Sequence, residues 1–62
     1  MIVRIKSRSD DVWIRMEGQY WSLVEAEERA TPFIHERQAN FVFRGMPQDI
    51  KDEFALVVEK DR

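Results

Sequence analysis

Three short segments of this chain alternate between apolar and polar residues, and in all three the cations fall on the same parity. Within residues 1–8, Met1, Val3 and Ile5 fall on one side and Ile2, Arg4, Lys6 and Arg8 on the other. Val12, Ile14 and Met16 alternate with Trp13 and Arg15, and Phe41 and Phe43 alternate with Val42 and Arg44. Side chains alternate across a β-strand with period two, so each segment reads as a strand with one buried face. In one sheet, the second face would carry Arg4, Lys6, Arg8, Arg15 and Arg44 around Trp13.

That cationic face stands out because the chain as a whole has a formal net charge of −2. Residues 1–16 hold four cations against two acids, and residues 17–62 hold ten acids against six cations. Seven of the ten cations are arginine, whose planar donor fork suits recognition. A 62-residue chain buries only about 60% of its unfolded surface, and with no cysteine it has neither disulfide nor thiolate metal site to add stability. Self-association is the remaining common route, so a homo-oligomer is expected. The hydrophobic content is too high for a disordered chain. There is no secretory segment and no run of about 18 apolar residues, so a single cytoplasmic domain spanning 1–62, without export or membrane insertion, is expected.

Ser9-Asp10-Asp11 is turn chemistry, which makes residues 1–8 and 11–17 an antiparallel hairpin ending at Gly18. The middle is ambiguous. Leu23 to Ala30 is rich in helix formers, and Ser22 with Glu25 fits a capping box, which favours a helix over about 20–30. A third strand from Gln19 to Val24, entered through a tight turn at Gly18, competes with it. Thr31-Pro32 breaks whatever precedes it. Residues 40–45 read as a strand. Pro47 then opens a helix over 47–60, with acids early, Lys60 late, and Met46, Ile50, Phe54, Val57 and Val58 in one stripe. Leu56 lies off that stripe.

The predicted fold is α+β. A three-stranded antiparallel sheet (1–8, 11–17, 40–45) packs one face against a C-terminal helix and a shorter middle helix. The alternative is a four- to five-stranded meander plus the C-terminal helix. The predicted core is Val3, Ile5, Val12, Ile14, Met16, Leu23, Val24, Ile34, Phe41, Phe43, Ile50, Phe54 and Val57, with Phe33 also turned inward.

No catalytic or cofactor motif is present. His35 is the sole histidine and has no second histidine or cysteine beside which to bind zinc. The serines at 7, 9 and 22 show no triad spacing. The acid pairs Asp10-Asp11, Glu27-Glu28 and Asp52-Glu53 lie where turns and solvated helix faces place acids. The two glycines are too far apart for a phosphate loop. Neither enzyme activity, nor a cofactor, nor a metal is expected.

The Arg/Lys face with Trp13 has three readings. It binds phosphate-rich ligands such as single-stranded nucleic acid or a nucleotide; it binds an acidic surface of a partner protein; or it is a solvated sheet face with Trp13 covered by cation stems. Apolar residues without a core seat add a second signal: Ile2, Trp13 and Val42 on the outer sheet face, Leu56 off the helix stripe, and either Tyr20 or Trp21. Contiguous exposed apolar patches mark interfaces. The candidate binding residues are therefore Ile2, Arg4, Lys6, Trp13, Arg15, Val42, Arg44 and Leu56.

Phe41 to Phe54 resembles the strand-into-helix opening of ribbon-helix-helix DNA-binding proteins. That resemblance would make Val42 and Arg44 the outward strand positions. It covers about a quarter of the chain, and no second helix follows here, so membership is not assigned. The overall profile is similar to small phage and mobile-element proteins that bind and block host machinery. The expectation for function is a non-enzymatic, self-associating interaction module that occludes a partner surface, an inhibitor in effect. The alternative is a nucleic-acid or nucleotide binder using the basic face.

Overall fold

A computed structural model describes residues 1–60. The elements in order are β1 (Ile2–Ser7), β2 (Trp13–Glu17), β3 (Tyr20–Val24), a 3-10 turn (Glu27–Arg29), α1 (Glu36–Arg44), α2 (Gln48–Glu53) and β4 (Phe54–Glu59). The four strands form one antiparallel sheet in the order β3-β2-β1-β4. The α+β class and the packing of a sheet against helices are as the sequence predicts. The strand count is that of the alternative reading.

The first and last strands are neighbours. β1 and β4 pair over six residues, from Ile2↔Glu59 to Ser7↔Phe54, and Arg8 N–H extends the ladder to the Glu53 carbonyl at 2.9 Å. The other edge of β1 is shared. It meets β2 at Lys6↔Trp13, and then β2 diverges. The segment Thr31–Phe33 fills the gap. Val3 and Phe33 exchange two 2.8 Å backbone hydrogen bonds. Thr31 N–H donates to the Ile14 carbonyl at 3.3 Å, and Thr31 Oγ1 accepts from Met16 N–H at 2.6 Å. Pro32 sits between these two contacts, a position that asks no donor of it.

Parity in β1 and β2 is as predicted. Val3, Ile5 and Ile14 are fully buried, and with Phe33, Ala39, Met46 and Phe54 they make the main core. Val12, Met16, Val42, Phe43, Ile50 and Leu56 pack against it. Ser7 shares the buried parity, and its Oγ accepts from Ser9 and Asp10 N–H, which closes the first turn.

Three assignments change. Residues 20–24 form a strand rather than a helix, because Gly18 at φ 64° closes a two-residue loop with Gln19 and returns the chain along β2. Residues 40–44 belong to helix α1, with Gly45 as its cap, rather than to a strand. Ala39, Val42, Phe43 and Met46 repeat at helical spacing and face the core, a stripe longer than the four-residue alternation inside it. The helix from Pro47 stops at Glu53. Phe54 N–H still caps it by bonding the Ile50 carbonyl, and from there Phe54, Leu56 and Val58 alternate as β4 against Ser7, Ile5 and Val3. Four predicted core residues are therefore exposed: Leu23, Ile34, Phe41 and Val57. Val24 is buried, but in a second cluster on the opposite face, with Trp13 and Ala30.

Trp13 is thus a structural residue, and its truncation opens a cavity that the small second cluster cannot refill. Trp13→Ala is expected to cost about 3 kcal/mol of stability, while Phe41→Ala stays within about 0.5 kcal/mol. Urea unfolding of the two variants measures both. Thr31→Val removes the acceptor for Met16 N–H and is expected to cost about 1–2 kcal/mol in the same assay.

Candidate functional site

The two faces of the sheet differ in what they leave accessible. On the face away from the helices, Ile2, Arg4, Lys6, Trp13 and Arg15 come together as their parity predicts. They do not form an open basic platform. Trp13 is only 6% exposed, paired across strands with Val24 and covered by Ala30. Lys6 Nζ lies 5.7 Å from the Trp13 ring centroid and also donates to the Ser7 and Asp10 carbonyls.

The cations have partners as well. Arg4 Nη1 meets Glu59 Oε2 at 3.1 Å, Arg15 Nε meets Glu17 Oε1 at 2.9 Å, and Lys6 Nζ lies 3.8 Å from Asp11 Oδ1. Glu59 and Glu17 come from the same sheet face, one strand over from Arg4 and two residues along from Arg15. A base has no ring surface at Trp13 on which to stack. The premise of an exposed, ligand-stacking tryptophan is corrected: the second face is a minor core with neutralised charges around it.

The other predicted site residues lie elsewhere. Val42 and Leu56 pack against the main core, Val42 because it lies on the inward stripe of α1 and Leu56 because it pairs with Ile5 on the buried parity of β4. Arg44 is exposed at the end of α1, away from the sheet face that carries Arg4 and Arg15. With residues 41–44 helical, the strand position shared with ribbon-helix-helix proteins is absent here.

The helix-bearing face carries exposed apolar residues of its own. A helix is about 10 Å across and covers about two strands spaced 4.8 Å apart. α1 packs over β1 and β4, and α2 adjoins β4, so beyond Ile14 the helix side of the β2–β3 hairpin is left open. Met16 there is half-buried, while Trp21 and Leu23 are 37% and 52% exposed. A groove of about 350 Å³ runs between β3 and α1, lined by Met16, Trp21, Phe41, Val42 and Met46.

Phe41 stands at its rim, 80% exposed. At 100° per residue, position 41 points away from the 39/42/43/46 stripe, which is why this aromatic faces water. Arg37 and Arg44 lie one turn to either side of it, and the three share a second shallow depression with Asn40. Phe41 and Arg37 are surface residues that the alternating pattern hides, whereas Trp21 is one of the two aromatics expected to look outward, with Tyr20, and both are exposed. The nine-residue helical period around Ala39 was the signal that locates Phe41 and Arg37.

His35 is exposed at the start of α1, where its carbonyl accepts from Gln38 and Ala39 N–H. Ser7 and Ser9 sit together in the first turn, and Ser22 lies on β3. No group of three or more His, Cys, Asp or Glu side chains is placed to hold a metal ion among the described residues. No helix among them is long and apolar enough to cross a membrane. Comparison with protein-family models, curated proteins and solved structures returned no match.

The two tryptophans report the two faces separately. In dilute solution, iodide is expected to quench Trp21 and to leave Trp13 largely dark to the quencher. Stern–Volmer plots of Trp13→Phe and Trp21→Phe check this: the first variant keeps the quenchable fluorophore and the second loses it.

Proposed function

We propose that this chain is a non-enzymatic protein-interaction module that associates with itself and occludes a surface of a partner protein. The observation that carries this reading is Phe41. It is an aromatic ring 80% exposed on helix α1, flanked by two arginines and beside an open apolar groove. Aromatic and arginine side chains are the types that dominate interface energetics, and they do so when seated in a partner's pocket. Phe41 faces water in this fold, and a partner's pocket would give the ring the apolar seat that the chain itself does not. The flanking arginines suit a partner whose rim is acidic, and their long stems can cover the ring edge without an internal ion pair.

A second reading uses the same trio. Arg37 and Arg44 could neutralise phosphates while Phe41 stacks on a base, the chemistry of single-stranded nucleic-acid binding. The feature that favours it is the one-turn spacing of cation, ring and cation along α1. The acidic balance of residues 17–62 and the neutralised sheet face count against an extended phosphate track.

Affinity capture with the intact chain, run with and without nuclease digestion, separates the two. Under the protein reading, a specific partner is retained after digestion and at raised salt. It is lost with Phe41→Ser, whose unfolding midpoint matches that of the wild type. Loss of the captured species on digestion, or a steep fall in binding with salt, supports the nucleic-acid reading instead.

A further inference from the structure

We infer that the free edge of β3 is the self-association site, and that a second copy of this chain adds there as an antiparallel strand about a two-fold axis through Ser22. This deepens the self-associating part of the reading above and rests on it.

The direction of the backbone groups comes first. β2 and β3 pair as Trp13↔Val24, Ile14↔Leu23, Arg15↔Ser22, Met16↔Trp21 and Glu17↔Tyr20. The Ile14 carbonyl and Met16 N–H are both engaged by Thr31, on the far side of β2 from β3. Hydrogen-bonded and non-bonded pairs alternate in an antiparallel ladder, so Ile14↔Leu23 and Met16↔Trp21 are the non-bonded pairs. The N–H and C=O groups of Trp21 and Leu23 therefore point away from β2, along the outer edge of the sheet.

Nothing in β3 protects that edge. Edge strands are ordinarily blunted by lysine, proline or a bulge. From Gly18 to Val24 the chain carries no charge and no proline, and β3 pairs with β2 through five consecutive residues without a bulge. Its exposed residues include Tyr20, Trp21 and Leu23. The other edge, β4, exposes only parts of Val57 and Val58 as large apolar side chains, and it ends at Glu59, with Lys60 next.

The occupant is a second copy because the strand is complementary to itself. Antiparallel pairing centred on Ser22 sets Trp21 against the partner's Leu23, Tyr20 against the partner's Val24, and Ser22 against its own equivalent. The outward backbone groups of Trp21 and Leu23 then match in both directions, and no like charges meet within the ladder. Two-fold closure uses one patch on both subunits and stops at a dimer. The two Arg15 side chains end up about three strand spacings apart, roughly 14 Å, beyond the ~8 Å screening length at physiological salt.

At about 200 Å² per aromatic side chain, the exposed parts of Tyr20, Trp21 and Leu23 total roughly 300 Å² per protomer. Two copies bring about 600 Å² together before the backbone edges are counted, the size of a weak, reversible interface.

Ser22 supplies the test. Sedimentation of the intact chain over a concentration series is expected to show a reversible monomer–dimer equilibrium. Ser22→Lys sets two cations directly opposite each other and weakens the dimer roughly tenfold or more, while mixing it with Ser22→Glu restores a one-to-one pair. Ser22→Cys, the only thiol in the chain, is expected to give a disulfide-linked dimer under mild oxidation, because the non-bonded pair brings the two Cα atoms within bridging distance.

A wild type that stays monomeric throughout, or a dimer insensitive to Ser22→Lys, overturns the inference. If Ser22→Lys does not fold, the cross-linking result decides, and absence of the cross-link overturns it. Phe41→Ser leaves the dimer intact, so loss of partner capture with an unchanged dimer sinks only the partner reading. A monomer that still captures its partner sinks self-association, here and in the reading above, and leaves the partner reading standing.

Discussion

The first strand has two backbone edges, and different segments satisfy them. β4 takes one edge for six residues. The other is divided: β2 meets it at Lys6, and Phe33 meets it at Val3 with two short hydrogen bonds. Because Thr31–Phe33 occupies that gap, the β2–β3 hairpin leaves β1 at an angle rather than continuing a uniform ladder. The remaining architecture follows. α1 has one pair of adjacent strands to cover, β1 and β4, and the hairpin projects past it. Ile14 reaches the main core, while Trp21 and Leu23, farther out on the same face, do not.

The divergence also accounts for the second small core. After β3 the chain must return across the hairpin to reach the gap. It does so over the face opposite the helices, with Ala26 and Glu27 carbonyls accepting from Arg29 and Ala30 N–H in one tight turn. Ala30 lands on Trp13 and Val24 and closes them off from water. A tryptophan on the cationic parity is therefore buried without being part of the main core. The cations around it are held by Glu59, Glu17 and Asp11, exposed pairs whose individual contribution to stability is small.

Period-two alternation located β1 and β2 to within a residue or two, and the parity of their buried side chains read correctly. It misled at Phe41–Arg44, where four alternating residues sit inside a longer helical period that runs from Ala39 to Met46. A short apolar run satisfies both periods, and only the wider window decides between them. The C-terminal helix was half legible. Pro47 and the early acids mark its start, and Leu56, which never fitted the helical stripe, was the trace of the strand that follows. Gln19–Val24 was legible only as an alternative, since Ser22 and Glu25 mimic a helix cap and local propensity says nothing about an available strand edge. The candidate site was less legible still. Exposure of Phe41, Trp21 and Leu23 depends on which strands the helices cover, a tertiary fact that no local pattern encodes.

Self-association through β3 requires the β2–β3 hairpin to be the unfinished side of the sheet, with the backbone of Trp21 and Leu23 facing outward. Amide hydrogen exchange resolved by residue tests this directly. At low concentration, Trp21 and Leu23 are predicted to exchange fast while Tyr20 and Ser22, bonded within the hairpin, are slowed. As concentration rises, protection should appear at Trp21 and Leu23 specifically. Slow exchange at those two amides in the dilute monomer would contradict the direction of the strand, and fast exchange at every concentration would contradict its use as an interface.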